Sequence, residues 1–156
     1  MSVQTAAYIA IDRKKTLSEE PSTGHNRWHP DIPPVIRVDP GQVIGLETRD
    51  AFDGQVNPRS TAADLLKTSL GVVHPLTGPV YVNGAEPGDL LAVKIVEVEP
   101  RPFGFTVQVP GFGFLRDLFT APHLVPWTIA NGFATSPALP GVRIPGASFM
   151  GVLGLA

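Results

Sequence analysis

Apolar and polar residues alternate most cleanly over residues 43–50. With a period of two, Ile44, Leu46, Thr48 and Asp50 share one face of a strand, and Val43, Gly45, Glu47 and Arg49 share the other. Short apolar runs of the same kind predict further strands at residues 5–11, 35–38, 79–82, 90–98 and 103–109. Three of them, 43–50, 90–98 and 103–109, are expected at the centre of the fold. Their inward faces would build a core from Ile44, Leu46, Leu91, Val93, Ile95, Phe105 and Val107. One segment breaks the pattern: Ser60 or Thr61 can cap a helix starting near Ala62, with Asp64 in its first turn and Leu65, Leu66 and Leu70 as its apolar face. A second short helix is expected over 113–119.

Seventeen prolines and sixteen glycines cut the chain into short pieces and favour an all-β domain over a helical one. Pro40-Gly41 and Pro87-Gly88 each stand just before a predicted strand and suit type II turns. The similarity reads either as a faint duplication or as ordinary turn chemistry. Residues 120–146 are so dense in Pro and Gly that irregular covering loops are expected there, with one strand near 127–130. The tail, 149–156, is apolar apart from its glycines, and a strand of that kind is normally covered on both faces. Contact with a second polypeptide through Phe149, Met150, Val152 and Leu153 is the expectation.

With 156 residues, one core and a single domain spanning 1–156 are expected. Twelve basic residues stand against fourteen acidic ones, and no Lys/Arg cluster extends beyond Arg13-Lys14-Lys15, so nucleic acid is not an expected partner. The apolar run 6–11 is too short to span a membrane, and its positive charges follow it rather than precede it as in a secretory signal. A cytoplasmic protein without a membrane partner is expected. The absence of cysteine rules out disulfides and a thiol nucleophile on this chain.

Site chemistry concentrates in His25-Asn26-Arg27-Trp28-His29-Pro30-Asp31, followed by Ile32-Pro33-Pro34. The prolines exclude a helix interior and impose an extended loop, which is where functional groups gather. Trp28 either lines a site or plugs an apolar gap. His25 and His29 are four apart, a spacing that would align two ligands on a helix, but the prolines remove that geometry. A catalytic zinc needs about three protein ligands, and the remaining histidines, His74 and His123, fall in other segments. His25 is the strongest candidate, with Asn26, Arg27 and Asp31 near enough in sequence to orient it. Asp50 extends the more apolar face of its strand, so its carboxylate is expected to point inward, where it needs a cation, a metal or several donors. The alternative is a cap on the turn 51–54. For Asp53, followed by Gly54, a turn role comes first.

The His25 segment is similar to the amino-terminal signature of the acetamidase/formamidase family. Later motifs follow in matching order: Glu47-Thr48-Arg49-Asp50-Ala51, Asp53-Gly54-Gln55, His74-Pro75-Leu76-Thr77-Gly78-Pro79-Val80, Asn83-Gly84-Ala85-Glu86-Pro87-Gly88-Asp89, Pro110-Gly111-Phe112-Gly113-Phe114-Leu115 and Ile144-Pro145-Gly146. Family members are typically longer, with a Gly-Gly-Asn-x-Asp motif and a second His/Asp/Glu-rich segment, and this chain resembles their front part. The resemblance implies a jelly-roll-like β-sandwich and hydrolysis of a small amide such as formamide or acetamide. It implies activated water, with Asp50 and His25 as catalytic residues and Trp28, Thr77, Gly78 and Glu86 on the substrate. A divalent metal, zinc first and calcium second, would take Asp50 from this chain and its other ligands from elsewhere, so that this chain alone binds none. The implied partner is a carboxy-terminal amidase portion or second subunit, in an oligomer. The competing reading is a non-catalytic β-sandwich that binds a ligand or serves as a structural subunit.

Overall fold

The computed structural model describes residues 4–155. Strands dominate, and helix is confined to short 3₁₀ turns, in keeping with a β-rich chain. Contacts gather the chain into two compact units, where the sequence suggested one domain. The first comprises residues up to 54, 69–94 and the stretch from 152; the second comprises 55–68 and 95–151.

In the first unit, strands β1 (Ala7–Ile9), β2 (Gly24–His25), β3 (Ile36–Val38), β4 (Ile44–Leu46), β5 (Leu76–Thr77) and β6 (Val80–Val82) form three two-stranded pairs. β1 runs parallel to β4 with Ala7 opposite Ile44, and β3 runs parallel to β6 with Ile36 opposite Val80. β2 is antiparallel to β5, with His25 opposite Leu76. Ile9, Ile11, Val38 and Phe52 are buried here.

The second unit holds the largest sheet, four antiparallel strands in the order β10 (Arg143–Pro145), β9 (Phe133–Thr135), β8 (His123–Ala130), β7 (Phe103–Gln108). Asn131 and Gly132, at φ 52° and 76°, make the two-residue connection between β8 and β9. Positive φ at both central positions is what a type I′ hairpin requires, and Asn-Gly is its preferred sequence. Arg143 lays its guanidinium over the Phe133 ring, 3.4 Å from the centroid. Val56, Leu65, Val109 and Val125 are buried in this unit.

Several expectations are corrected. Residues 120–146 carry three strands where irregular loops with one strand near 127–130 were expected. Pro126 sits in β8 opposite Phe105 without ending the strand. The segment expected as a central strand at 90–98 is irregular, and Leu46, Val93 and Ile95 of the expected core are exposed, while Ile44, Leu91, Phe105 and Val107 are only half-buried. No helix forms over 113–119, where Gly111 and Gly113 take φ of 78° and 91°. Such left-handed positions break a right-handed helix before it can propagate. The helix after Thr61 is a 3₁₀ segment, Ala62–Lys67, that turns only Leu65 inward and leaves Leu66 in solvent. Its start is fixed by Asp64, whose carboxylate accepts from the Thr61 amide and hydroxyl at 2.9 and 2.8 Å. The tail through Leu155 is exposed coil, not a covered strand, and its last expected residue, Ala156, lies outside the described residues.

Candidate functional site

β2 presents His25 because Gly24 lets the two strands close. A Cβ at Gly24 would fall inside contact distance of the Leu76 carbonyl oxygen, so only glycine permits the β2–β5 pairing that sets His25 beside Leu76. Beyond the strand, the His25 Nδ1 lies 2.6 Å from the Arg27 carbonyl oxygen. A carbonyl can only accept, so Nδ1 carries the proton and Nε2 of the neutral ring keeps its lone pair. The Trp28 ring stands edge-on to the imidazole, centroids 5.9 Å apart. Its far edge lies against the backbone of Gly154, where an added Cβ would come within 2.9 Å of Cη2.

The rest of the segment holds itself in place. Asn26 donates its amide to the Gly71 carbonyl at 3.0 Å, and Arg27 folds back to donate to the carbonyl of Asn26 at 2.6 Å. It is thus the backbone of Arg27, not its guanidinium, that orients His25. Asp31 turns to His29: its amide donates to the His29 Nδ1 at 3.2 Å, and its carboxylate lies 3.8 Å from the same atom.

The strand opposite is pinned from both ends. The Thr77 hydroxyl donates to the Glu47 carbonyl oxygen at 2.7 Å, and the Gly78 amide donates to the Thr23 carbonyl oxygen at 3.2 Å. Gly78 is buried at φ 119°, a conformation that favours glycine, and is followed by a cis bond to Pro79. Strand pairing therefore sets Thr77 opposite Gly24, next to His25 in the chain, with the Thr77 hydroxyl and the Gly78 amide already engaged. Glu86 is placed apart, exposed in the turn after β6, with its amide donating to Asp89 at 2.9 Å.

Asp50 is exposed, contrary to the inward orientation its alternation suggested. The strand stops at Leu46, and the alternation no longer governs four residues later. One Asp50 carboxylate oxygen accepts from the Phe52 amide at 2.9 Å and the other from the Gly54 amide at 2.8 Å. The turn cap is thus realised. Among the described residues, no hydrogen bond or ion pair joins Asp50 to His25. No group of three His, Asp or Glu side chains that could hold a metal ion forms among them either. The donors present do not make up a zinc centre, which takes about four ligands.

The buried acid is Asp53. It sits at φ 54° and accepts the Leu17 amide on both oxygens, at 3.1 and 2.8 Å, with the Arg49 Nε 3.8 Å away. Arg49 is buried with it and also donates to Glu20 at 2.7 Å and to the Lys15 carbonyl oxygen. Glu47 forms a second hub, accepting from the Ile11 amide at 3.0 Å and from Arg13 at 2.8 Å. Both hubs were passed over in the sequence. The available signal was the four-residue offset between Arg49 and Asp53 with Glu47 just upstream, three charges close to a half-apolar strand. An open hollow of about 1000 Å³ in the second unit is lined by Asn57, Arg59, Asp64 and Lys67, among others, and by none of the site residues named from the sequence.

Known proteins place this geometry in context. The chain is 36% identical over 161 residues to an acetamidase of Mycolicibacterium smegmatis, matching 95% of this chain and 40% of that protein. It is likewise 36% identical over 152 residues to a formamidase of Methylophilus methylotrophus, matching 94% of this chain and 37% of the formamidase. In three dimensions it resembles a gamma lactamase from Delftia acidovorans with a TM-score of 0.83 and 36% identity, over 90% of this chain and 36% of the other. The chain thus spans about two fifths of the length of these relatives. The description of the Acetamidase/Formamidase family fits residues 10–156, and with that span and the ordered motifs around His25 and Thr77, the chain belongs to the acetamidase/formamidase family.

Proposed function

We propose that this chain is the amino-terminal part of an amidohydrolase that cleaves small aliphatic amides, such as formamide or acetamide, to ammonia and the carboxylic acid. The observation that carries the reading is the 2.6 Å contact between the His25 Nδ1 and the Arg27 carbonyl oxygen, which leaves Nε2 as a proton acceptor beside an aromatic wall. The names of the relatives support it, since acetamidase, formamidase and gamma lactamase all designate action on an amide. In the proposed step, Nε2 takes a proton from water as the water oxygen bonds to the amide carbon. The same nitrogen returns that proton to the leaving amine as the carbon–nitrogen bond breaks. Asp50 assists with charge through the lone pairs its turn amides leave open. Trp28 bounds the substrate, and Thr77 and Gly78 hold the strand that faces it.

The completing partner in this reading is a carboxy-terminal amidase portion, in a cytoplasmic oligomer whose assembled β-rich fold is a jelly-roll-like sandwich. No described helix is long and apolar enough to cross a membrane. A divalent ion, zinc or calcium, would draw on Asp50 and needs its other ligands from outside the described residues. The test is a pair of conservative variants in the assembled protein. Asn retains one of the two acceptors the turn uses, so Asp50→Asn removes the charge at the cost of one turn hydrogen bond, and His25→Gln removes the base. General-base loss typically costs about 10²–10⁴-fold in rate. His25→Gln is expected to lower kcat within that range with unchanged unfolding, and a wild-type kcat would remove His25 from the mechanism.

A further inference from the structure

The loop between β7 and β8 has no role in the site, yet it is built with care. Its base is closed by strand pairing of Gln108 with His123 and by the Gln108 side-chain amide, which donates to the Ala121 carbonyl oxygen at 2.5 Å. Its interior is ordered by tight turns: the Phe112 amide donates to Val109 at 3.1 Å, and the amides of Leu118 and Phe119 both donate to Leu115 at 3.0 Å. On this frame Phe112, Phe114, Leu115, Leu118 and Phe119 are all exposed, with Phe114 entirely so and Leu118 at 76%. Apolar patches of this density on a soluble surface mark an interaction site, and a preformed one binds without an ordering penalty.

We infer that the residue 111–119 loop is the docking arm by which this chain engages the carboxy-terminal amidase portion that completes it, a deepening that rests on the proposed function. The occupant follows from the span of the relatives. The loop lies within the segment matched by the family, residues 10–156, and in the acetamidase and formamidase the matched part is only 40% and 37% of the protein. In such proteins a further three fifths of polypeptide is covalently linked to the same fold, at an effective concentration no separate molecule reaches. The side chains of the arm would fill an apolar hollow on that portion, with Phe114 as the central anchor, as buried aromatics commonly are.

The test uses the full chain co-expressed with the carboxy-terminal portion of the Mycolicibacterium smegmatis acetamidase. The wild type is expected to co-purify as a stable complex in which amide exchange over 111–119 is slowed at least tenfold relative to the chain alone. Phe114→Ser with Leu118→Ser is expected to weaken the complex about 100-fold, whereas Lys14→Ser leaves it unchanged. The loop variant keeps the backbone bonds that order the arm, and circular dichroism checks that its fold is retained. A complex that forms equally well with the loop variant, or no wild-type complex, overturns the inference. So does a loop variant that only abolishes self-association of this chain, or only its binding to phosphatidylcholine vesicles. A complex that needs the arm but releases no ammonia from formamide or acetamide would sink the proposed function and leave the arm standing. An active complex with an exposed arm would do the reverse.

Discussion

Removing the Asp53 side chain should destabilise the first unit more than any other single carboxylate truncation in it. Asp53 is 6% exposed, and its two oxygens share the Leu17 amide at 3.1 and 2.8 Å. A hydrogen bond to a charged group contributes about 1.5–3 kcal/mol. Alanine at φ 54° adds about 1–2 kcal/mol of left-handed backbone cost. The loss at Arg49 is smaller, because Glu20 at 2.7 Å and the Lys15 carbonyl still hold the guanidinium. Asp53→Ala should therefore cost about 3–4 kcal/mol. Asp53→Asn keeps one acceptor and tolerates the backbone angle, so only charge assistance is lost, about 1–1.5 kcal/mol. Asp53→Gly relieves the backbone but not the bond, and falls between them. Urea unfolding gives the order, and hydrogen exchange at the Leu17 amide reports the bond itself. An Asp53→Ala cost below about 1 kcal/mol, with Leu17 still protected, would refute the reasoning.

Gly24→Ala should break the β2–β5 pairing, because its Cβ meets the Leu76 carbonyl oxygen and backbone cannot move aside as a side chain does; overpacking of this kind costs about 1–3 kcal/mol, read by urea unfolding, with activity falling as His25 is displaced. The Asp64 carboxyl is held below its ordinary range, first by the Thr61 amide and then by the Thr61 hydroxyl. A carboxyl depressed in the folded state contributes stability above its unfolded pKa and loses it as pH falls through the folded value, so NMR titration should find Asp64 ionised to lower pH than a free Asp, and Thr61→Val, which removes the hydroxyl but keeps the amide, should raise it only part of the way.

Much of the strand pattern was legible, and the failures have physical causes. Residues 36–38, 44–46, 80–82 and 103–108 lie where short apolar runs placed them. Of the hairpin at 123–135, the sequence pattern predicts only a strand near 127–130, because prolines read as breakers. Asn131-Gly132 carried the stronger signal, since that dipeptide adopts the two positive φ values a tight hairpin needs and Pro126 was accommodated within its strand. For Asp50, periodicity was extended past the end of the pairing, and at Asp53 a turn residue by local rule also carries a buried carboxylate by tertiary contact. That burial depends on Leu17, 36 residues away in the chain, which no local pattern encodes. The apolar run 90–98 predicts a central strand. In the structure Leu90 is 97% exposed and the segment lies outside every sheet, so the pattern supplied the apolar face but not the pairing. The His25 cluster was found because its chemistry is local: the carbonyl that orients the ring is two residues away.

The most direct test of the amidase reading is ammonia release from formamide and acetamide, first by the purified chain and then by the chain assembled with a carboxy-terminal amidase portion. Steady turnover by the assembly, lowered about 10²–10⁴-fold with His25→Gln, is the predicted result. An assembled, folded pair that releases no ammonia from either amide would contradict it and leave the non-catalytic reading in its place.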